Sequence, residues 1–375
     1  MSNIQNVDKR IVADVAERIE HLINNARANV ARSINITEVI TKYEIGRIIV
    51  DVVQEGEDRA TYGKQLLQGV ADSLTECFGD GWSVETLKRC RKFFSTYSTK
   101  EIGTTVLTKS SNRNSVNSVD QIQKFTESPI KSTREYPFTL SWSHYLILMR
   151  IESDEERRFY EIESQKQNWS VRQLQRQYNS SLYERLAISK DKDSILRLAQ
   201  EGQTINKPDD IIKNPLTLEF LGLKPDASYS ETKLENAIID KMQHFLLELG
   251  KGFLFEARQK RFTFEEENFY VDLVFYNRLL QCYVLIDLKV DKLAHQDLGQ
   301  MQMYVNYYDR YVKQDFEKPT IGILLCKEKK DALVELTLPK ESNIYAQQYA
   351  LYLPDKQLLQ AKLRECNCHV RIFRG

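Results

Sequence analysis

Residues 281–290, QCYVLIDLKV, read as a buried strand except that Asp287 and Lys289 sit inside it. Side chains two apart on a strand share a face, so this acid and this lysine stand together while Ile286 and Leu288 point the other way into a core. Taking an ionised carboxylate or ammonium out of water costs on the order of several kcal/mol unless the group is paired or holds a metal. Residues 269–276, FYVDLVFY, repeat the anomaly, a β-branched and aromatic strand carrying one acid, Asp272. Three charges in two neighbouring strands require a fold that brings them together.

With residues 277–280 as a hairpin loop, Asp272 faces Leu285 and lies diagonal to Asp287, their Cα atoms roughly 7–8 Å apart. Two carboxylates at that distance can share one hard cation, Mg2+ or Mn2+, with Lys289 beside them. Such a group polarises a phosphate and activates water, so the chemistry these residues suit is phosphodiester hydrolysis.

The flanking text supplies the rest of a core. A helix is expected over residues 232–249, with Leu234, Ile238, Met242, Phe245 and Leu249 on one stripe and Glu235 beside it. A second helix is expected from Gln296 to Arg310, with Met301, Val305 and Tyr308 inward and Gln300 one turn from Tyr304. Residues 320–326, TIGILLC, read as another strand, and 349–353 as a terminal one.

An acid, a gap, then acid-x-Lys resembles the signature of PD-(D/E)XK nucleases, and the order helix, three strands, helix, strand is that of their core. Gln300 and Tyr304 resemble the extra motif of the RecB-like branch. Leu234-Glu235, residues 245–253 (FLLELGKGF), 272–276 (DLVFY), Cys282-Tyr283-Val284, Gly299-Gln300 and 323–326 (ILLC) resemble the bacterial YhcG family. The resemblance implies an α/β protein, with a C-terminal restriction-endonuclease-like αβββαβ core and a mainly α-helical N-terminal domain. It implies a Mg2+-dependent (or Mn2+-dependent) deoxyribonuclease acting in restriction, phage defence or DNA repair. Asp272, Asp287 and Glu235 would hold the metal, Lys289 would position water, and Gln300 would contact phosphate. Arg258 and Gln259, expected at the end of the preceding strand, and Tyr304 would touch DNA. The wider superfamily more often has glutamate where this chain has Asp287, one methylene shorter.

The domains are expected as 1–98, helical with a helix-turn-helix-like segment; 99–135, a flexible insertion rich in Ser, Thr and Asn; 136–190, the rest of the helical domain; 191–230, a linker; and 231–375, the nuclease. Residues 7–54 show helical periodicity through Ile11, Val15, Ile19, Leu22, Ile40 and Tyr43. Residues 63–78 and a helix capped by Ser83 flank Gly79 and Gly81, the layout of helix-turn-helix. The second of these helices carries Lys88, Arg89, Arg91 and Lys92, cations of the kind that contact phosphates. Ser170 and Gln173 form a capping-box pattern opening a helix expected to run through Leu186.

With 53 basic and 53 acidic residues, no global field draws nucleic acid, so contacts must be local. The six cysteines have no disulfide spacing, and Cys366 and Cys368 with His369 offer too few ligands for structural zinc. No Gly-rich phosphate loop supports ATP use. With no apolar run long enough to span a membrane, the expected location is the cytoplasm. Two other readings fit the residues: a catalytically silent DNA-binding or oligomerisation scaffold, and an effector held in check by a regulatory partner. A homodimer fits the need to cut two strands.

Overall fold

The computed structural model describes residues 19, 30, 33–52, 59–98, 136–188, 192–213, 215–224, 228–328, 331–339, 342–361 and 363. The expected insertion at 99–135, most of the first helical stretch and the Cys366–His369 cluster lie outside them. The chain divides into two compact units, Met1–Glu152 and Ser153–Gly375.

The first unit is helical: α1 (33–52), α2 (Arg59–Phe78), α3 (Val84–Tyr97) and α4 (Trp142–Leu148). The turn between α2 and α3 uses Gly79 (φ 80°) and Gly81 (φ 141°), and the Thr86 N–H donates to Ser83 Oγ to cap α3. Leu87, Cys90 and Phe93 are buried on one side of α3, while Lys88, Arg89 and Lys92 are exposed and Arg91 is half-buried. Helical periodicity alone separates the two sets. A Cβ on Gly46 would lie 2.1 Å from the Cys90 carbonyl oxygen, so α1 and α3 meet backbone to backbone there.

The second unit begins with α5 (Asp154–Lys166), α6 (Val171–Asn179), α7 (Leu182–Ala187) and α8 (Lys192–Glu201). The unit boundary therefore runs through the 136–190 segment. The Ser170–Gln173 capping box forms, but its helix ends at Asn179 instead of running through Leu186. Ser181 sits at φ 52°, and Ser180 Oγ turns back to donate to the Gln177 carbonyl, the competition with helical bonding expected of serine.

Next come β1 (Leu216–Thr217), α9 (Glu231–Asp240), α10 (Met242–Leu249), β2 (Phe253–Phe264), β3 (Glu267–Asn277), β4 (Cys282–Lys292), α11 (His295–Tyr311), β5 (Ile321–Glu328), α12 (Asp331–Thr337) and β6 (Ile344–Ala350). The six strands form one sheet in the order β1-β6-β5-β4-β3-β2. β2, β3 and β4 are antiparallel neighbours, while β4, β5, β6 and β1 run parallel. The expected order of helix, three strands, helix, strand is present.

Four local expectations give way. The single helix 232–249 is two, stepped at Lys241 (φ −117°, ψ 29°). α9 lies over β4 whereas α10 reaches β1 and β2, so the step lets one apolar stripe follow a twisted sheet. The hairpin loop is 278–281, because Asn277 pairs with Cys282. The last strand is 344–350, not 349–353. Within the stretch read as a linker, α8 forms, Leu216 and Thr217 pair with Tyr349 and Ala350, and Ile211 and Leu218 enter the core.

Apolar layers cover both faces of the sheet. Leu234, Ile238, Phe245 and Leu249 pack with Leu273, Phe275, Ile286, Leu288 and Ile323 on one. Leu298, Met301, Tyr304, Val305 and Tyr308 of α11 pack with Val274, Leu285 and Leu324 on the other. A strand covered on both sides leaves no solvent for a stray charge, which makes the placement of Asp272, Asp287 and Lys289 a structural demand.

Candidate active site

The β3–β4 register pairs Leu273 with Ile286, and continuing it by one residue sets Asp272 across from Asp287 rather than diagonal to it. The ladder itself ends at Leu273 and Ile286, and moving the hairpin loop by one residue causes the difference. Asp272 Oδ2 accepts the Leu288 N–H at 2.8 Å, so the backbone of β4 fixes this side chain against Asp287. Asp287 is 4% exposed. Lys289 Nζ lies 2.9 Å from Asp287 Oδ2, on the shared face that strand geometry requires.

Burial, and then the negative charge of Asp272, outweigh the attraction of the Lys289 ammonium and push the Asp287 carboxyl up to about 7. Burial works against the Lys289 ammonium, yet Asp287, Glu231 and Asp297 more than offset it and its pKa is raised. Glu231 and Asp297 each approach Lys289 Nζ to 3.9 Å. Neither was among the residues expected from the sequence. Both lie in the first turn of a helix, where acids are common for capping and dipole reasons alone, so nothing local distinguished them.

Glu235 comes from α9 and is 3% exposed. Arg258 Nε stands 3.0 Å from Glu235 Oε1, and Gln259 Nε2 donates to Glu235 Oε2 at 2.8 Å and to Asp272 Oδ1 at 2.9 Å. Arg258 and Gln259 sit in the middle of β2, not at its end, because β2 continues to Phe264. Gln300 is exposed on α11 and donates through Nε2 to the Tyr304 hydroxyl at 2.5 Å. Tyr304 is 1% exposed, and burial, then Asp287, push its hydroxyl up to about 12, so it stays protonated. A ring buried so completely orients Gln300 from beneath and presents no face to a nucleic acid.

The structure thus brings together Glu235, Arg258, Gln259, Asp272, Asp287 and Lys289, with Gln300 over Tyr304 on the adjoining helix. The cations of α3 belong to the other unit. Among the described residues, no three His, Cys, Asp or Glu side chains already converge as a ready metal cage. The donor set nevertheless fits a hard cation. Asp287 Oδ2 and Glu235 Oε1 are buried and accept no hydrogen bond of acceptable angle, although Lys289 and Arg258 lie within ion-pair distance of them. A buried carboxylate oxygen left without a hydrogen bond costs stability unless something else binds it. Oxygen donors of this kind are what Mg2+ and Mn2+ take.

Residues 209–364 match the family described as YhcG PDDEXK nuclease domain, and residues 18–185 match the DUF1016 N-terminal domain. The protein YhcG of Escherichia coli (strain K12) is 36% identical over 353 residues, covering 93% of this chain and 92% of that relative. Two solved structures are also similar over 35% of this chain. One is a repair endonuclease from Pyrococcus abyssi, 18% identical, TM-score 0.23, matched over 50% of its length. The other is an EndoMS–dsDNA2 complex, 16% identical, TM-score 0.25, matched over 48% of its length. The chain spans about half of each, and likeness at that level bears on neither mechanism nor substrate. Among the described residues no helix is long and apolar enough to cross a membrane.

Proposed function

The chain belongs to the YhcG family of PD-(D/E)XK nuclease-domain proteins, and on that premise we propose that it hydrolyses phosphodiester bonds of DNA with Mg2+ or Mn2+. The observation that carries the reading is the pair Asp272 and Asp287 on the adjacent strands β3 and β4, with Asp287 buried and its Oδ2 lacking a hydrogen bond of acceptable angle beside Lys289. Bound among Asp272, Asp287 and Glu235, the cation would neutralise the scissile phosphate and lower the pKa of the attacking water.

The chain's own groups do the rest. Lys289, held by Asp287, Glu231 and Asp297, keeps an ammonium at the mouth of the site, where it positions the water oxygen and offsets developing negative charge. The Gln300 amide, set by the Tyr304 hydroxyl, donates to a phosphate oxygen. Arg258, with its side chain 44% exposed, holds Glu235 from one side and offers a cation to the backbone from the other. The exposed cations of α3 add contacts that depend on salt and not on sequence. The biological setting we infer is restriction, phage defence or DNA repair.

The test is incubation of the purified protein with supercoiled plasmid, linear duplex and single-stranded DNA under Mg2+, Mn2+ or EDTA, beside Asp272→Ala. Metal-dependent cutting that the variant lacks is the expected result. Linearised plasmid in place of nicked plasmid is the product expected of a homodimer with two such sites. No cutting of any form under either metal contradicts a free-standing nuclease and leaves the DNA-binding scaffold or the effector held in check by a partner.

A further inference from the structure

A regular strand sends consecutive side chains to opposite faces. Arg258 and Gln259 are consecutive in β2, yet they approach the two oxygens of one carboxylate, Glu235. The backbone supplies the reason. Gln259 has φ 45°, a left-handed conformation that a residue bearing a Cβ adopts only at a cost, and it does so in the middle of a twelve-residue strand. A little earlier the β2–β3 register shifts by one residue between Phe255 and Ala257. Irregularities of this kind turn a side chain to where a straight strand cannot send it.

What the turn achieves is specific. The two hydrogens of the Gln259 amide go to two different acids, Glu235 Oε2 on a helix and Asp272 Oδ1 on a strand, at 2.8 and 2.9 Å. A neutral donor pair between two carboxylates holds them at a fixed separation against their mutual repulsion. It adds no charge that would compete with a cation, and each carboxylate oxygen has a second lone pair to offer. Both amide hydrogens are committed, so this side chain has no N–H left for a phosphate.

We propose that Gln259 is a positioning residue for the metal site: its strained backbone is retained because it sets the spacing of Glu235 and Asp272. This rests on the reading of those acids as cation ligands. Partners one step behind metal ligands typically change metal affinity about 10- to 100-fold when removed, and Gln259 serves two ligands at once.

The test separates positioning from mere stability. Glycine accepts a positive φ and alanine does not, so Gln259→Gly should melt at a higher temperature than Gln259→Ala. Both remove the amide, so both should bind Mn2+ about 10- to 100-fold more weakly than the wild-type chain by titration calorimetry. Equal loss of affinity across unequal stability supports the proposal. Wild-type Mn2+ affinity in Gln259→Gly, or affinity that follows melting temperature from one variant to the other, overturns it. Asp272→Ala serves as the control for the underlying reading. If that variant binds Mn2+ as the wild type does, the acids are not cation ligands and the role of Gln259 falls with them; if only the Gln259 variants bind normally, the acids keep their role and Gln259 loses its own.

Discussion

Two of the acids buried in the second unit, Glu248 and Asp287, are held in opposite ways. Glu248, on α10, is fully buried. Its Oε1 accepts from Arg185 Nη1 and the Thr217 N–H, its Oε2 accepts from Arg176 Nη1, and the Lys213 ammonium donates to its carbonyl. Although burial opposes it, the charges of Arg185, Arg176 and Lys213 hold this carboxyl far below the usual range. Asp287 is nearly as buried, but burial and Asp272 push it up, and its Oδ2 has no hydrogen bond. A buried charge with every lone pair used is structural, tying α6 and α7 to α10 and β1. A buried acid whose pKa is raised, and whose lysine partner does not offset burial, costs stability and is a candidate for binding.

The sharpest way to break this contrast is to remove one member of each cluster. Lys289→Ala should lower the cutting rate by at least about 100-fold, the loss typical of one preorganised charge at a reacting centre, with folding nearly intact by circular dichroism. Unfolding of that variant would make the site structural after all. Glu248→Ala should instead cost about 3–5 kcal/mol in urea unfolding, because it removes the carboxylate that the buried Arg185 guanidinium pairs with and leaves Arg176 with Glu219 alone. The folded fraction should cut normally. A stability near that of the wild type would remove Glu248 from its structural role.

Acidity should separate the clusters again, with opposite signs. Glu248 has a folded pKa below its unfolded one, so its contribution is present above about 4.5 and is lost as pH falls below it. Asp287 has a folded pKa of about 7 against 3.8, so the folded state holds the extra proton between those values and stability falls as pH rises through them. Without added metal, Asp287→Asn should therefore match the wild type near pH 4 and exceed it at pH 8. Denaturant melts at both pH values check this, and equal curves at pH 8 would contradict the raised pKa. The smallest expected effect belongs to α3: replacing Lys88, Arg89, Arg91 and Lys92 with alanine should weaken DNA binding and flatten its salt dependence. The cutting chemistry at saturating DNA should not change.

Along the sequence the candidate active cluster stands out and the structural one does not, for a physical reason. Asp272, Asp287 and Lys289 break the apolar pattern of strands that must be buried on both faces, and periodicity along ten residues is enough to see that. Glu248 lies in a helix where an acid breaks no pattern, and its partners at 176, 185, 213 and 217 are distant in the chain. The same limit explains the hairpin register, which a loop shifted by one residue alters, and the edge strand of two residues, Leu216 and Thr217, too short to carry a period. Gln259 was legible as a residue near the site. Its left-handed backbone was not, since glutamine is not a residue that announces a positive φ.

The most direct test of the central claim is the change in melting temperature on adding Mn2+ to wild type and to Asp287→Asn. A ligand that binds only the folded state at about 100 times its Kd adds about 2.7 kcal/mol. A clear upward shift is expected for the wild type and little or none for Asp287→Asn, whose amide cannot take the place of the carboxylate. Equal shifts in the two proteins would mean that the cation binds elsewhere and that the buried acid in β4 is not the functional centre.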